Sequence, residues 1–516
     1  MRSQSGIEQL IRKRVFDHPD ETWLKWKDEE FTWSEMLSAS QRAANGLLEL
    51  GVGPGDRVAI MLSNRPEFLW AHFGLGFIGA VAVPVNTAQR GPALHHIFTD
   101  SGVVAAIVDA DVLPVVAPLR ETVESLRYVV AADGAGRAAD WTLDRLMSGA
   151  DREPQVAWDG STPGMLVYTS GTTGPPKGIL TTATAGDSGA LDEMIRRAGV
   201  QPGETIYSGL PLFHGNALHL SMTVSILVDA KFALAPKFTA SGLLHDLRRY
   251  DVNLFNAIGG IVSILLKQPE RPDDRENPVH TVIASGAPAD RWHAFEERFG
   301  VRLVELYGMS DSPGFLLNAD GKVGALGKSG LGGVEFRVVD EQEQPLEPGN
   351  VGELVFKHPQ GRLTEYHNLP DATEKAYRGG WFHSGDLAEM DAEGYFYYRG
   401  RKTESMRRLG ENISAWEIET TLNAHPSVLE SAAHKVPSDL GGDEVKVCVV
   451  LRPGTELEPE ALLDYCRQQL ARHAIPRYVE FMDEIPKTPS ERNRYADLKA
   501  RGITPATYDA LAGARR

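Results

Sequence analysis

Short apolar runs bounded by turn residues recur through the first three quarters of the chain and constrain its fold more than any other feature. Helical patterns separate these runs, and buried strands that alternate with helices are typical of parallel α/β sheets. The most apolar segment, residues 69–85, is interrupted by His72, three glycines and Pro84, which favours a buried helix followed by a strand over a membrane span. The predicted strands cover residues 58–62, 80–85, 103–109, 127–132, 165–168, 281–285 and 302–307.

The pattern changes after about residue 330. Strand–turn–strand patterns at 335–356 and 386–400 predict a small antiparallel β-module that closes the larger part of the chain. No low-complexity linker or repeat follows, so we predict a tight boundary between a large N-terminal domain, residues 1–400, and a smaller α+β C-terminal domain, residues 401–516. In the smaller domain we expect helices at 415–423 and 459–472, and extended segments at 446–451 and 478–482.

The length, charge and cysteine content of the chain exclude several classes of protein. A chain of 516 residues is too long for one compact core. The 53 Lys and Arg residues against 70 Asp and Glu residues give a net charge of −17, which argues against a general nucleic-acid or anionic-membrane surface. The two cysteines, Cys448 and Cys466, indicate a reducing compartment rather than a disulfide framework. No apolar stretch follows the N-terminal charges, so we expect no secretory signal and a cytoplasmic location.

The segment YTSGTTGPPKG, residues 168–178, places small hydroxyls and glycines around one lysine. A Walker loop requires Gly-Lys followed by Ser or Thr, whereas Lys177 is followed by Gly178. Glycines nevertheless let backbone N–H groups approach an anion, hydroxyls donate hydrogen bonds, and Lys177 adds a cation. By itself the segment is either a surface turn or a phosphate-binding loop.

Five further motifs follow this loop along the chain: PLFHGNA at 211–217, ASGAP at 284–288, LYGMSD at 306–311, WFHSGDLA at 381–388 and GRKTESMRRLGENISAWEIE at 400–419. In order and spacing, over nearly the whole chain, the six motifs resemble those of the adenylate-forming family of acyl-CoA synthetases, luciferases and peptide-synthetase adenylation domains. The RRLGENIS segment, residues 407–414, is most similar to carnitine- and fatty-acid-type CoA ligases. Taken one at a time, these residues are better explained structurally, with Asp386 as a turn aspartate, Tyr307 as a core aromatic and His214 as a packed loop histidine; the ordered set of motifs favours the functional interpretation.

The resemblance implies an enzyme that binds ATP and a small carboxylic acid in residues 1–400, forms an acyl-adenylate with Mg²⁺, and passes the acyl group to coenzyme A. The mobile C-terminal domain would rotate between the two half-reactions. Other acceptors stay open, namely a carrier protein, an amine, or nitrite in a diazo-forming pathway. A nucleotide-binding protein with degraded catalysis is a third alternative.

The resemblance also implies roles for individual residues. Tyr307 would stack on adenine, Asp386 would accept hydrogen bonds from the ribose hydroxyls, and Arg401 would reach the ribose or phosphate. His214 would gate the passage for the thiol, Gly410 would line the thiol tunnel, and Lys177 would neutralise phosphate charge. The remaining nucleotide-site residues lie in the loop, in the adenine turn and after Tyr307: Thr169, Ser170, Gly171, Thr172, Thr173, Gly174, Ser285, Gly286, Ala287, Pro288, Gly308, Met309 and Ser310.

Three positions depart from the family pattern. Thr403 stands two residues after Arg401, at the hinge, where Asp or Lys is usual, and domain rotation is still expected because a hinge needs no particular charge. Asp311 stands where a Mg²⁺-binding glutamate is usual, which keeps the charge and shortens the reach by one methylene. Near the C-terminus PKTPSERNR, residues 486–494, has Glu491 and Arg492 where the family has Gly-Lys. Either Arg492 replaces that catalytic lysine, or Lys487 or Arg494 does, or adenylation is weak.

The identity of the acid is left open by the sequence. Candidate pocket walls combine glycines, which leave room, with two asparagines that can orient a polar group. A short polar, an aromatic and a medium-chain acid all fit this description. His214 and His219 lack the i, i+4 spacing of a helical zinc pair, so we expect no zinc. The candidate walls are Asn216, residues 256–260, residues 285–287 and residues 308–312.

Overall fold

The computed structural model of the chain forms two compact units. The first comprises Met1–Thr87, Phe98–Tyr168 and Gly178–Gly400, and the second comprises Ala88–Ile97, Thr169–Lys177 and Arg401–Arg516. The structure describes residues 6–132, 138–158, 164–169, 175–181, 189–401, 406–408, 411–413, 415–438, 442–486, 493 and 495–512.

One eight-stranded sheet is parallel through its centre. Thr281–Ser285 forms a strand over the full predicted range, and the strand predicted at 302–307 runs to Met309. Antiparallel strands close the sheet at both edges. In spatial order the strands are Ser312–Asn318, Arg302–Met309, Thr281–Ser285, Leu254–Ile258, Thr205–Ser208, Lys231–Leu234, Thr22–Trp26 and Glu29–Thr32.

A second eight-stranded sheet contains the other predicted N-terminal strands. Arg57–Met61 pairs in parallel with strands on both sides, and the segment 69–85 divides into a helix that ends at Phe77 and a strand that begins at Val81. Thr364–Tyr366 adds an antiparallel strand at one edge. The order is Thr364–Tyr366, Lys177–Thr181, Met165–Thr169, Val81–Pro84, Arg57–Met61, Ala105–Val108, Tyr128–Ala131 and Trp141–Thr142.

The predicted antiparallel β-module is the third sheet. Glu335–Val339 and Val351–Lys357 pair in antiparallel fashion, as the pattern at 335–356 indicated. The strands Trp381–Met390 and Tyr395–Arg401 continue the sheet, as predicted from 386–400. Two short strands, Gly327–Lys328 and Tyr377–Arg378, complete it.

Helices of the larger unit cover the two large sheets and share an apolar core with them. The helix Trp33–Leu50 begins at a capping box, in which Glu35 N donates to Thr32 Oγ1 and Thr32 N donates to Glu35 Oε2, and it ends at Gly51 with φ +94°. Among the described residues, none of the helices is both long and apolar enough to cross a membrane. The other helices outside the chain's C-terminal part are Gly6–Asp17, Pro66–Phe77, Gly91–Ser101, Leu113–Val116, Leu143–Leu146, Gly189–Ala198, Asn216–Thr223, Val224–Val228, Leu243–Arg249, Gly259–Leu266, Trp292–Phe299 and Pro370–Ala376.

The C-terminal part is an α+β assembly around the strand Asp443–Leu451. Val445, Val447 and Val449 enter one apolar cluster, and Cys448 and Val450 enter another, because successive residues of a strand face opposite sides. Burial on both faces therefore explains the continuous apolar run at 446–451. The other strands are Met406–Arg408, Glu411–Ile413, Val428–Pro437, Tyr478–Phe481 and Tyr508–Asp509, and the helices are Ala415–Asn423, Pro459–Gln469 and Tyr495–Arg501.

Two details of the C-terminal part differ from the sequence prediction. The helix predicted over 459–472 ends at Gln469, because Leu470 takes an extended conformation before a short 3-10 turn. The strand Val428–Pro437 was not predicted. Its sequence, VLESAAHKVP, is rich in alanine and polar residues and lacks the β-branched run that marked the other strands.

Candidate active site

The turn after the strand Thr281–Ser285 is held by a buried carboxylate. Gly286, with φ +77°, and Ala287 donate their backbone N–H groups to Glu305 Oε1 and Oε2 at 2.6 and 2.9 Å. Glu305 is 4% exposed and lies in the neighbouring strand Arg302–Met309. The predicted adenine turn is therefore fixed by a side chain that the sequence analysis missed. The available signal was one acidic residue inside the apolar run RLVELY.

Tyr307 and Asp386, which the resemblance assigned to adenine and ribose, are in direct contact. The Tyr307 hydroxyl donates to Asp386 Oδ2 at 2.7 Å, and Asp386 is 3% exposed. Because a carboxylate can accept further hydrogen bonds, this pair offers a flat ring and a diol acceptor side by side.

A bulge in the strand Trp381–Met390 directs Asp386 into this position. The register passes from Glu353 opposite Leu387 to Val355 opposite His383, so the bulged strand carries two extra residues. Gly385 supplies the left-handed conformation with φ +71°. Asp386 N donates to Ser384 Oγ at 3.0 Å, and Ser384 Oγ donates to Leu354 O at 2.5 Å. The Ser-Gly-Asp sequence thus has a structural explanation.

Asp311, the predicted metal ligand, is anchored by the edge strand Thr364–Tyr366. Tyr366 donates its hydroxyl to Asp311 Oδ2 at 2.6 Å, and Thr364 Oγ1 donates to the Asp311 carbonyl at 2.6 Å. Among the described residues, none forms a cluster of three or more His, Cys, Asp or Glu side chains suited to a metal ion. A single carboxylate fits Mg²⁺, which takes its remaining ligands from waters and substrate phosphates.

The strands that flank the predicted phosphate loop are packed closely. Tyr168 donates its hydroxyl to Asp100 Oδ2 at 2.6 Å, and burial together with this carboxylate raises the pKa of Tyr168 above its ordinary value. A Cβ at Gly178 would lie 2.9 Å from Leu166 Cδ1 and 3.0 Å from Tyr168 Cζ, so a larger residue there would displace these side chains. Thr169 ends one strand and Lys177 begins the next. Ser170, Gly171, Thr172, Thr173 and Gly174 lie outside the described residues.

The segment that carries His214 leads into a π-helix, Asn216–Thr223. His214 is half-buried, and its ring centroid is 4.8 Å from that of Phe213. The π-helix contacts the strand Leu254–Ile258, where Asn256 Nδ2 donates to Ser221 Oγ at 2.7 Å. π-Helical turns occur frequently at functional sites, and here one joins two of the predicted walls of the acid pocket.

Some of the remaining predicted site residues lie in described elements, and the others lie outside the described residues. Gly308 and Met309 lie in the strand Arg302–Met309, Ser310 begins the following turn, and Pro288 closes the adenine turn. A Cβ at Gly308 would lie 2.7 Å from Phe315 Cδ1, so this glycine is required by packing. Arg401 ends the strand Tyr395–Arg401. Gly410 and Arg492, with Lys487 and Arg494, lie outside the described residues.

Arg408, beside the predicted thiol tunnel, serves the C-terminal fold. Its Nε lies 2.8 Å from Glu444 Oε2, and its Nη1 donates to the carbonyl of Ile475 at 2.8 Å. A guanidinium engaged in this way is a structural element, which weighs against a primary role in binding phosphates of coenzyme A.

Comparisons with known proteins match most of the chain. The family model described as AMP-binding enzyme matches residues 11–366, and the model described as AMP-binding enzyme C-terminal domain matches residues 417–492. A crotonobetaine/carnitine–CoA ligase from Proteus mirabilis is 30% identical over 485 residues, which cover 90% of this chain and 92% of that protein.

Solved structures share the same architecture. A double mutant of the o-succinylbenzoate CoA synthetase from Bacillus subtilis, bound to a product analogue, is 26% identical with a TM-score of 0.82 over 96% of this chain and 98% of its own. An amide bond synthetase from Marinactinospora thermotolerans has a TM-score of 0.80 over 95% of this chain and 99% of its own. At 22% identity the second comparison supports the fold alone. The predicted fold class, a large α/β domain with a small antiparallel module and a smaller C-terminal domain, is confirmed.

Proposed function

This chain belongs to the AMP-binding enzyme family, and on that basis we propose that it joins a carboxylic acid to coenzyme A with ATP. The relative from Proteus mirabilis and the synthetase from Bacillus subtilis are both named for CoA ligation, which supports coenzyme A as the acceptor. The observation that carries the proposal is the Tyr307–Asp386 contact, because a ring for adenine and a buried carboxylate for the ribose diol are what an adenosine site requires.

In the first step the acid becomes an acyl-adenylate. One carboxylate oxygen forms a bond to the α-phosphorus of ATP, the bond from that phosphorus to the bridging oxygen breaks, and pyrophosphate leaves with the electron pair. Lys177, at the start of its strand, would neutralise charge on the phosphoryl oxygens as it develops. Thr169 and the residues 170–174 would donate hydrogen bonds to the β- and γ-phosphates, and Arg492 is proposed to act at the α-phosphate.

In the second step the sulfur of coenzyme A bonds to the acyl carbon. The bond from that carbon to the AMP oxygen breaks, AMP leaves, and the thiol proton is released to solvent. His214 is proposed to gate the approach of the thiol, Gly410 to line its passage, and Arg401 to contact the ribose or phosphate. We further propose that residues 1–400 bind ATP and the acid while residues 401–516 form the mobile domain.

Asp311 and the ATP phosphates would together hold Mg²⁺, and the ion would supply positive charge that offsets the negative charge of the phosphate oxygens. Tyr366 donates to one carboxylate oxygen of Asp311 and thereby orients the carboxylate that would hold the ion. Aspartate reaches one methylene less far than the usual glutamate, so a bridging water is proposed to complete the contact.

The test is a pyrophosphate-release screen of purified protein with ATP, Mg²⁺ and a broad panel of carboxylic acids, with and without coenzyme A. We expect release with a subset of acids and a CoA thioester as the final product. AMP formation without any thioester would show that coenzyme A is not the acceptor. The assay would then be repeated with a carrier protein, an amine or nitrite, and the compound that accelerates AMP release would be the acceptor.

An Arg492→Lys variant tests the replacement of the family's usual lysine by arginine near the C-terminus. We expect lower activity in this variant if the site is built around arginine, and a large gain would show that the arginine limits adenylation. If both the wild type and Arg492→Lys bound ATP but released no pyrophosphate with any acid, the proposed catalysis would be wrong and the chain would be a nucleotide-binding protein. The cytoplasmic location expected from the sequence stays a prediction.

A further inference from the structure

Two asparagine side chains in the predicted acid pocket each have a buried amide oxygen to which no described residue donates a hydrogen bond. Asn256 is 3% exposed in the strand Leu254–Ile258, and Asn216 is the first residue of the π-helix Asn216–Thr223. A buried carbonyl oxygen that accepts no hydrogen bond has lost its contact with water without compensation, which destabilises the folded protein. Such atoms are rare in native proteins, and a bound ligand is one common explanation.

Asn256 contacts the π-helix that begins at Asn216. Asn256 Nδ2 donates to Ser221 Oγ at 2.7 Å, so the position of its amide is fixed. Ser221 is five residues after Asn216, slightly more than one turn of a π-helix, in which hydrogen bonds join residues i and i+5. The side chains of Asn216 and Ser221 therefore project from neighbouring positions on the helix.

The position of Asn256 relative to the nucleotide turn gives the depth of this site. Leu254–Ile258 pairs in parallel with Thr281–Ser285, with Asn256 opposite Ile283 and Ile258 opposite Ser285. Asn256 thus lies two residues below the strand end, which is roughly 7 Å at about 3.3 Å per residue. Ligands of parallel sheets bind beyond the carboxyl ends of the strands, and Asn256 lies just below that edge of the sheet, next to the strand that leads into the adenine turn.

Glycines leave space between the two strand ends. A Cβ at Gly259 would lie 1.8 Å from the carbonyl oxygen of Gly286, so the two loops touch there. Beside this contact, Gly260 has no heavy atom within 4 Å of where its Cβ would stand. The chain thus leaves space beside the contact of the two loops, in the segment that directly follows the strand of Asn256.

We propose that the acid activated by this enzyme carries a neutral hydrogen-bond donor, a hydroxyl or N–H group, at the end remote from its carboxylate, and that Asn256 and Asn216 accept from it. Both acceptors are uncharged amides, which match a neutral donor better than an ammonium group. This inference rests on the proposed function and narrows its substrate class. A site built from buried polar atoms discriminates strongly against a ligand that lacks their partner.

Matched pairs of acids test the proposal, each pair exchanging a hydroxyl for a methyl group: 4-hydroxybenzoate against 4-methylbenzoate, and 5-hydroxypentanoate against hexanoate. We expect kcat/KM for pyrophosphate release to favour the hydroxyl member of at least one pair by roughly tenfold or more. In Asn256→Leu, the ratio of kcat/KM for the hydroxyl acid to kcat/KM for the methyl acid should fall toward one. Asn45→Leu is the matched control, because Asn45 Nδ2 donates to the carbonyls of Gln41, Ala150 and Arg152, and its ratio should equal that of the wild type.

A second readout separates this inference from the proposed function. The shift in Tm on addition of each acid alone reports binding without catalysis, and Asn216→Leu provides a second variant if Asn256→Leu does not fold. A larger Tm shift with the hydroxyl acids, abolished by either variant, supports the inference even if no pyrophosphate appears. Equal or greater activity and binding with the methyl acids, or a ratio unchanged in both asparagine variants, overturns it.

Discussion

The hydroxyl of Tyr307 donates a 2.7 Å hydrogen bond to the Asp386 carboxylate, which joins residues 79 positions apart in the chain. Tyr307 lies in a strand of the mixed eight-stranded sheet, and Asp386 lies in the antiparallel module. The contact therefore fixes the module against the sheet at the proposed nucleotide site. The ring and the carboxylate are positioned relative to each other by the protein itself, before any ligand binds.

Tyr307→Phe should keep the ring and remove the hydrogen bond. We expect the Kd for ATP to rise about tenfold, because a hydrogen bond to a charged group contributes roughly 1.5–3 kcal/mol. Asp386→Asn should weaken ATP binding further, since it also removes the charge that the ribose hydroxyls would meet. Calorimetric titration with ATP measures both effects. An unchanged Kd in Tyr307→Phe would contradict this role.

Glu305→Gln should loosen the adenine turn. The substituted amide presents an NH₂ group to one of the two backbone N–H donors of Gly286 and Ala287, so one buried donor loses its acceptor. We expect the KM for ATP to rise several-fold with a smaller change in kcat, as for a residue that positions the turn. Glu297→Gln is the control, because Glu297 is exposed on a neighbouring helix. Equal KM values in the two variants would argue that the turn holds its shape without the carboxylate.

Tyr366→Phe should alter the response to Mg²⁺. Removing the hydroxyl leaves Asp311 without the 2.6 Å donor that orients its carboxylate. We expect the Mg²⁺ concentration for half-maximal ATP binding to rise several-fold, since such outer partners usually affect metal affinity ten- to a hundredfold. Titration of ATP binding against Mg²⁺ measures this, with Tyr398→Phe at an exposed tyrosine as the comparison. A curve that matches the wild type would remove Tyr366 from the metal site.

The buried pair Lys446–Glu480 should make the C-terminal part sensitive to acid. Burial alone would raise the pKa of Glu480, but hydrogen bonds from Lys446 and Arg501 and the Lys446 charge lower it to about 2. Because the pKa of Glu480 is lower in the folded protein than its value of 4.5 in the unfolded chain, the ionised carboxylate stabilises the fold at pH values above 4.5. This stabilisation is lost as the pH falls from 4.5 through about 2. The loss amounts to about 3 kcal/mol.

Hydrogen exchange in the strand Asp443–Leu451 measures this effect. Protection should fall as pH is lowered from 4.5 toward 2, after correction for intrinsic exchange rates. Lys446→Met should destabilise the strand by about 3–5 kcal/mol at neutral pH, because it leaves a buried carboxylate without its main partner. Lys322→Met, at an exposed ion pair with Glu393, should cost less than about 1 kcal/mol. Similar losses in both variants would contradict the assigned burial.

Sequence patterns predicted the fold class and many of the strands, but not the geometry of the site. Runs such as 281–285 are apolar on both faces, and only a buried parallel strand accommodates them. Asp386 and Tyr307 were found through resemblance, but their contact depends on a bulge at Gly385, which no periodicity encodes. Glu305 was missed because a lone acid in an apolar run carries no signal until its backbone donors are known. The structural role of Arg408 could not be predicted, because its partners Glu444 and Ile475 are distant from it in sequence.

The edge strand Thr364–Tyr366 has a consequence for how copies of the molecule behave toward one another. It pairs with Ile179, Leu180 and Thr181, so the strand that begins at Lys177 is not left as an open sheet edge. Open edges recruit strands from other chains, and very short, polar edge strands prevent this. The strand whose Thr364 and Tyr366 hold Asp311 thus also covers a sheet edge, and a substitution that displaces this strand would cause aggregation as well as loss of activity.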